Sequence, residues 1–412
     1  MSFIEELQAG DKKGLFRSNN EYITYSTGLL PLDYANGFWQ EVTVDGVKKT
    51  VPVTGITGGT VVTIIGTTGT GKTTLATQMA YNIIRPFEDS TMIFIDTEKT
   101  SNRDRIVKLA RAKYDDPRII LKKDKTTIED VLEMFTDICE TKEKGGNRYK
   151  YRVKGRTFDG SDMMVYVPTV MVIDSLPNFN GKEFNVEDLG NNVDGMRGAK
   201  DVTRFFTNVL DRMWTYNITL FIINHVRPKA DMNPYAGTPN GLMMLGQGEQ
   251  LPRGAVAQYY SNTFFRIKVR KSDAYTMDEN GFTGYKSTIQ LAKSRTNTVG
   301  TTFPVAFLGE EGFDSYYTIY EYANSLGLIK GRNPYLYFEG LEEYKFNRKD
   351  FRKMLVSMAE FRRGVLTVLK PYLEALLGTT KPVPSTDDVP EGEEQEEEPA
   401  PTFGDLSLDE ID

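Results

Sequence analysis

The run "GTTGTGKT", residues 66–73, fits the pattern GxxxxGK[ST]. That spacing suits a bound phosphate. Gly66, Gly69 and Gly71 let the backbone wrap an anion, and Thr67, Thr68 and Thr70 set further N–H groups around it. Lys72, Thr73 and Thr74 open a helix whose first N–H groups point at the same place. Lys72 can reach the outer phosphates, and Thr73 can ligate magnesium. The run follows an apolar strand, "TVVTIIG", and precedes "KTTLATQMAYNII", which has helical periodicity. Strand, loop and helix together are the setting a phosphate loop requires, so the expected ligands are ATP and Mg2+.

Other charged residues stand at strand ends. Asp174 ends "VMVID", where a second acidic group would hold magnesium through water. Glu98 follows the strand in "FIDTEKT" and can polarise an attacking water. Asp96 competes with it, because alternation puts both on one face and periodicity does not choose between them. Lys293 and Arg295 in "LAKSRTNTVG" are two apart, so on a strand they point the same way. Paired cations of this kind suit phosphates, either of the subunit's own nucleotide or of a neighbour's. The single histidine, His225, ends the apolar strand "FIINHV". It is either a core imidazole or a residue read by something bound at the strand's edge.

These groups need a scaffold. Strands alternate with helical stretches from residue 60 to 225, which argues for an α/β fold with a mostly parallel central sheet and helices on both faces. A stretch from near Asn102 to just before Asp115 and residues 201–216 read as helices, and "TIEDVLEMFTDICETKEK" opens with Thr and acidic residues as a helix start should. Two hairpins, near 38–54 and 145–168, look like insertions. Two later strands follow, "NTFFRIKVRK" and "YKSTIQLAKSR", with a turn at 278–284 between them. The expected domains are an N-terminal segment (1–25) that contacts another subunit, a core (26–311), a small α+β C-terminal domain (312–381) and a disordered acidic tail (382–412). Within the N-terminal segment, "SFIEELQAG" is a short helix candidate.

Composition narrows the class. Mean hydropathy is -0.41, and no apolar run is long enough for a membrane span, so no membrane association is expected. One Cys and one His leave a structural zinc site almost without ligands, and a lone Cys fits a reducing compartment. Net charge is -7, yet the tail from Thr386 onward carries 12 acidic residues and no Lys or Arg. The remaining body is therefore mildly basic, and the tail can compete with a polyanion for it.

Taken in order, these motifs resemble a RecA-type DNA recombinase, most like the UvsX recombinases of tailed phages. "STGLLPLD" (26–33) is similar to the segment before the family's phosphate loop, and "GTTGTGKTTL" to the loop itself. "IDTE" and "MVIDS" resemble the strands with the water-activating Glu, here Glu98, and the magnesium-site Asp, here Asp174. "FIINH" falls where the family senses the outermost phosphate and signals to the next loop, the role implied for His225. "KSR" matches cations that act across the subunit interface, and "GFDSYYTIYEYANSLGLIKGRNPYLYF" resembles the module after the core. Arg105 stands in the region where the family contacts adenine.

The resemblance implies ATP-dependent homologous pairing and strand exchange by a helical homo-oligomer on single-stranded DNA, acting on homologous duplex DNA. It also implies DNA-dependent ATP hydrolysis, a single-strand-binding protein and a loader as partners, and the cytoplasm of a phage-infected bacterium as location. A hexameric RecA-fold replicative helicase is the alternative. Two segments are the expected DNA loops. Residues 178–197 supply Lys182 and Arg197. Residues 227–254 supply Arg227, Lys229 and Arg253 for phosphates, and Met243 and Met244 to wedge between bases. A run this long without periodicity inside a compact domain points to function.

Overall fold

The computed structural model describes residues 23–44, 47–153, 162–182, 193–228, 245, 249–252, 254–275, 284–309 and 311–378. The N-terminal helix candidate, the turn expected between the later strands and the acidic tail lie outside them.

Nine strands form the central sheet: β1 (Val61–Gly66), β2 (Thr91–Asp96), β3 (Ile119–Lys122), β4 (Thr169–Asp174), β5 (Ile218–His225), β6 (Thr263–Tyr275), β7 (Gly284–Ser294), β8 (Thr302–Leu308) and β9 (Gly312–Asp314). Their order is β9-β8-β7-β6-β1-β5-β4-β2-β3. From β6 across to β3 every pairing is parallel, and from β6 out to β9 every pairing is antiparallel. The fold is therefore mixed α/β with a mostly parallel sheet. The sheet's last strand, Gly312–Asp314, follows the expected domain boundary at residue 311.

β1 and β4 are buried along their whole length, which is why they read as continuous rather than alternating apolar runs. Alternate residues serve opposite faces. Val62, Ile64, Val170, Val172, Phe221 and Ile223 pack with α2 (Lys72–Ile84) and α3 (Arg103–Ala110). Val61, Ile65, Met171, Ile173, Leu220 and Ile222 pack with α4 (Ile128–Gly145) and α5 (Val193–Thr215). A short helix, α1 (Leu30–Ala35), joins the first core. Phe94 and Phe221 are fully buried at its centre, each contributing about 2–3 kcal/mol of burial.

α4 starts as its sequence demands: Thr127 and Asp130 form a reciprocal capping box. α5 starts eight residues earlier than expected, at Val193, so residues 193–197 are helix and not loop. Both expected insertions are hairpins, one of Phe38–Val44 with Val47–Val53, the other of Lys150–Val153 with Met163–Tyr166.

Beyond β9, α7 (Ser315–Ser325) is capped by Asp314, which accepts from the Tyr317 N–H; α6 (Gly254–Tyr260) precedes β6. A three-stranded antiparallel sheet follows α7, then α8 (Phe351–Ser357) and α9 (Ala359–Glu374). Met358 is extended and separates these two helices. Phe338, Phe346, Phe351 and Phe361 form a ring cluster continuous with the first core. Asn297 Nδ2 donates to the carbonyls of Ala35, Gly37 and Leu376, and so ties α1, the turn after β7 and the end of α9 together.

Candidate nucleotide site

Parallel pairing brings the carboxyl ends of β1, β2, β4 and β5 to one edge. Ligands bind at such an edge in open α/β sheets. Register then fixes the neighbours: His225 stands beside Gly66, and Asp174 beside Asp96. Residues 159 and 78 apart in sequence are thus gathered by hydrogen-bonded strand pairs, not by flexible loops.

Residues 66–73 make the turn from β1 into α2. Gly69 and Gly71 have φ of 80° and 88°, where a side chain is strained. Gly71 is tight for a second reason, since a Cβ there would meet Phe307 at 3.0 Å. Thr67, Thr68 and Gly69 are exposed at the crest, while Thr70 is buried and its Oγ1 donates to the Thr67 carbonyl at 2.9 Å. Thr74 is buried in the first turn of α2. Lys72 curls over the loop, and its Nζ donates to the same carbonyl at 2.7 Å. Burial lowers its pKa to about 8, against the pull of Asp174 and Glu98. An ammonium held by a backbone carbonyl at the start of a helix fits an incoming phosphate.

Thr73 Oγ1 donates to Asp174 Oδ2 at 2.6 Å. Burial raises Asp174 to about 6, opposed by that hydrogen bond. Among the described residues no cluster of three or more His, Cys, Asp or Glu could hold a metal. Magnesium bound with a nucleotide needs no such cluster, because phosphates and waters fill most of its octahedron. Thr73 and Asp174 fit that donor set.

The structure separates the two carboxylates that periodicity leaves equivalent. Asp96 turns back and accepts the backbone N–H groups of Glu98 and Ser101. It shapes the loop after β2. Glu98 instead faces the site, where its Oε1 accepts from Ser175 Oγ at 2.6 Å and lies 3.0 Å from His225 Nε2. Burial pulls Glu98 upward, but the hydrogen bonds and charges of Ser175, His225 and Lys72 outweigh it and hold the carboxyl below its ordinary value. Burial, then the Lys72 charge, pushes His225 below its ordinary value despite Glu98.

His225 is part-exposed at the strand's end, not a core residue, and it touches the candidate water-activating carboxylate. Its neighbour Asn224 is fully buried; Nδ2 donates to the Pro252 carbonyl, and Oδ1 accepts the His225 N–H. Pro252 lies at the far end of the long loop. That loop's base is a ribbon of Arg227–Pro228 with Glu249–Gln250, and Glu249 is clamped by Arg266 of β6 at 2.7–2.8 Å.

Lys293 and Arg295 point the same way, as expected. Both donate to the Tyr259 carbonyl at 3.3 Å, and Lys293 also to that of Gln258, at the end of α6. Burial, then Arg295, lowers Lys293. Among the described residues, neither makes a hydrogen bond or ion pair with residues 66–73. Arg105 lies exposed on α3, and among the described residues no hydrogen bond or ion pair joins its guanidinium to the loop. Lys182 pairs with Asp130 at 3.2 Å, so it is not a free cation. Arg227 is exposed in the ribbon, and Arg197 sits in α5. Lys229, Met243, Met244 and Arg253 lie outside the described residues.

Sequence reading missed Ser175, whose hydroxyl orients Glu98, and Thr97, whose hydroxyl donates to the Asp174 and Ser175 carbonyls and joins the ends of β2 and β4. The signal for both was available in their adjacency to Glu98 and Asp174. No protein-family model matches the chain, and no curated protein matches it in sequence.

Proposed function

We propose that the protein is a DNA-dependent ATPase that polymerises on single-stranded DNA and carries out homologous pairing and strand exchange. One observation carries this reading. Glu98 is shared by Ser175 and His225, and the residue before His225 holds the end of the long loop. Glu98 is thereby linked, through His225 and Asn224, to Pro252 in the segment expected to bind DNA. Such a link makes nucleotide and DNA binding reciprocal, since each biases the other's two-state element.

The chain's own residues divide the work. Residues 66–73 cradle the phosphates, and Lys72 leaves the Thr67 carbonyl to meet them. Thr73 and Asp174 would hold magnesium, which would neutralise charge on the phosphates. Glu98, oriented by Ser175, accepts a hydrogen bond from the attacking water. Lys293 and Arg295 stand exposed or half-buried away from their own loop, where they can meet the nucleotide of a neighbouring copy. Recognition of homology is left to base pairing, so the protein holds backbones and spaces bases.

The test is ATP turnover with and without single-stranded DNA, for the wild type and Glu98→Gln. DNA-stimulated turnover that falls about 100-fold or more in the variant, with ATP affinity kept, supports the reading. Turnover indifferent to DNA contradicts it.

A further inference from the structure

The 150–166 hairpin is not used by the site described above. It leads into β4 at Thr169, the end opposite Asp174, about 20 Å from the phosphate loop by the length of a six-residue strand. Its two faces differ. Inward, Val153 and Val165 are buried, Tyr151 packs on Phe87 at 4.7 Å, and its hydroxyl lies 3.0 Å from that of Tyr25. Outward, the register aligns Lys150 with Tyr166 and Arg152 with Met164. Arg148, in the turn before the hairpin, is exposed as well.

We propose that this outward face is a second DNA-contact surface that takes the phosphate backbone of duplex DNA. The inference rests on the strand-exchange reading, which needs a second DNA to be held. Three observations support it. Arg148, Lys150 and Arg152 set three cations in a row along this stretch, against the acids Asp162 and Glu143 beside it. Those cations are little neutralised: Arg152 is 67% exposed, with Asp162 at 3.5 Å, a pair worth little in water. Arg148 and Lys150 lie over the rings of Tyr149 and Tyr166, and Arg212 of α5 extends the strip over Tyr216.

The rings decide between duplex and single strand. Tyr166 is covered by Lys150 on one side and packs against Tyr216 at 5.4 Å, and Tyr149 is covered by Arg148. None of the three rings is a bare stacking platform, since each has a cation over it. Single-strand binders need such platforms for their unstacked bases. A duplex keeps its bases stacked and asks only for charge.

The experiment measures binding of a labelled blunt duplex by anisotropy, without nucleotide, across a salt series. The wild-type full chain is compared with Arg148→Ala/Lys150→Ala/Arg152→Ala. A charge-keeping variant, Arg148→Lys/Lys150→Arg/Arg152→Lys, controls for folding. Single-strand-stimulated ATP turnover is measured in parallel. The alanine variant should bind duplex about tenfold more weakly at low salt, with its salt slope reduced by about three, while the charge-keeping variant retains both. Turnover should be unchanged in both. Unaltered duplex affinity in the alanine variant overturns the proposal, as does loss of turnover in step with duplex binding. If the wild type shows no DNA-stimulated turnover yet the alanine variant still loses duplex binding, the strand-exchange reading fails and the duplex surface stands.

Discussion

Replacing His225 with Ala removes the contact between Nε2 and Glu98 Oε1 at 3.0 Å and leaves the rest of the nucleotide site in place. Lys72, Thr73 and Asp174 make no hydrogen bond to the imidazole, and Ser175 still holds Glu98. ATP affinity should therefore change less than about threefold, a few tenths of a kcal/mol. Coupling should suffer more. A hydrogen bond to a charged group is worth about 1.5–3 kcal/mol. Here the side chains are 19% and 29% exposed, so solvent screening brings the figure nearer about 1–2 kcal/mol. That corresponds to about a 5- to 30-fold loss in the factor by which ATP tightens DNA binding. The assay is a pair of titrations: single-stranded DNA affinity with and without a slowly hydrolysed ATP analogue, and ATP turnover against DNA concentration. His225→Gln keeps a donor at similar reach and should recover part of the coupling. If DNA stimulation and ATP-dependent tightening both survive in His225→Ala, the imidazole is not the link. Asn224, through Pro252, would then carry it.

Further outcomes follow from other parts of the site. Lys72 has its pKa lowered to about 8 in the free protein, and phosphate favours the charged form. ATP affinity, measured calorimetrically at constant magnesium, should hold below pH 8 and fall by up to about tenfold per unit above it; a flat profile to pH 9 would refute the assignment. Lys293→Ala/Arg295→Ala should keep ATP binding but lose DNA-stimulated turnover by about 1000-fold, as removal of a trans cation does, and an unchanged rate would leave them as carbonyl-capping residues only. Truncation after Pro382 removes the acidic tail and should strengthen DNA binding at low salt, with the gain vanishing at high salt; equal affinity at low salt would exclude competition by the tail.

What the sequence made legible was local. The phosphate loop needs two left-handed glycines and a helix start, and a contiguous pattern records both. Capping of α4 and the buried runs of β1 and β4 are legible for the same reason. What it hid depends on register and on where side chains turn. Alternation places Asp96 and Glu98 on one face, yet two backbone N–H groups capture Asp96 and leave Glu98 for the site. The first turns of α5 contain Gly195 and Gly198, poor helix formers, so its start was read as loop. Lys182 looked like a free cation because Asp130, its partner, is 52 residues away in sequence and meets it only in the fold.

The central claim is that ATP-bound subunits assemble along DNA. Negative-stain microscopy of the full chain with single-stranded DNA, magnesium and a non-hydrolysable ATP analogue tests it most directly. The account predicts extended helical filaments that need both DNA and nucleotide, and that Lys72→Ala abolishes. Closed rings with or without DNA, or no assembly at all, would contradict it.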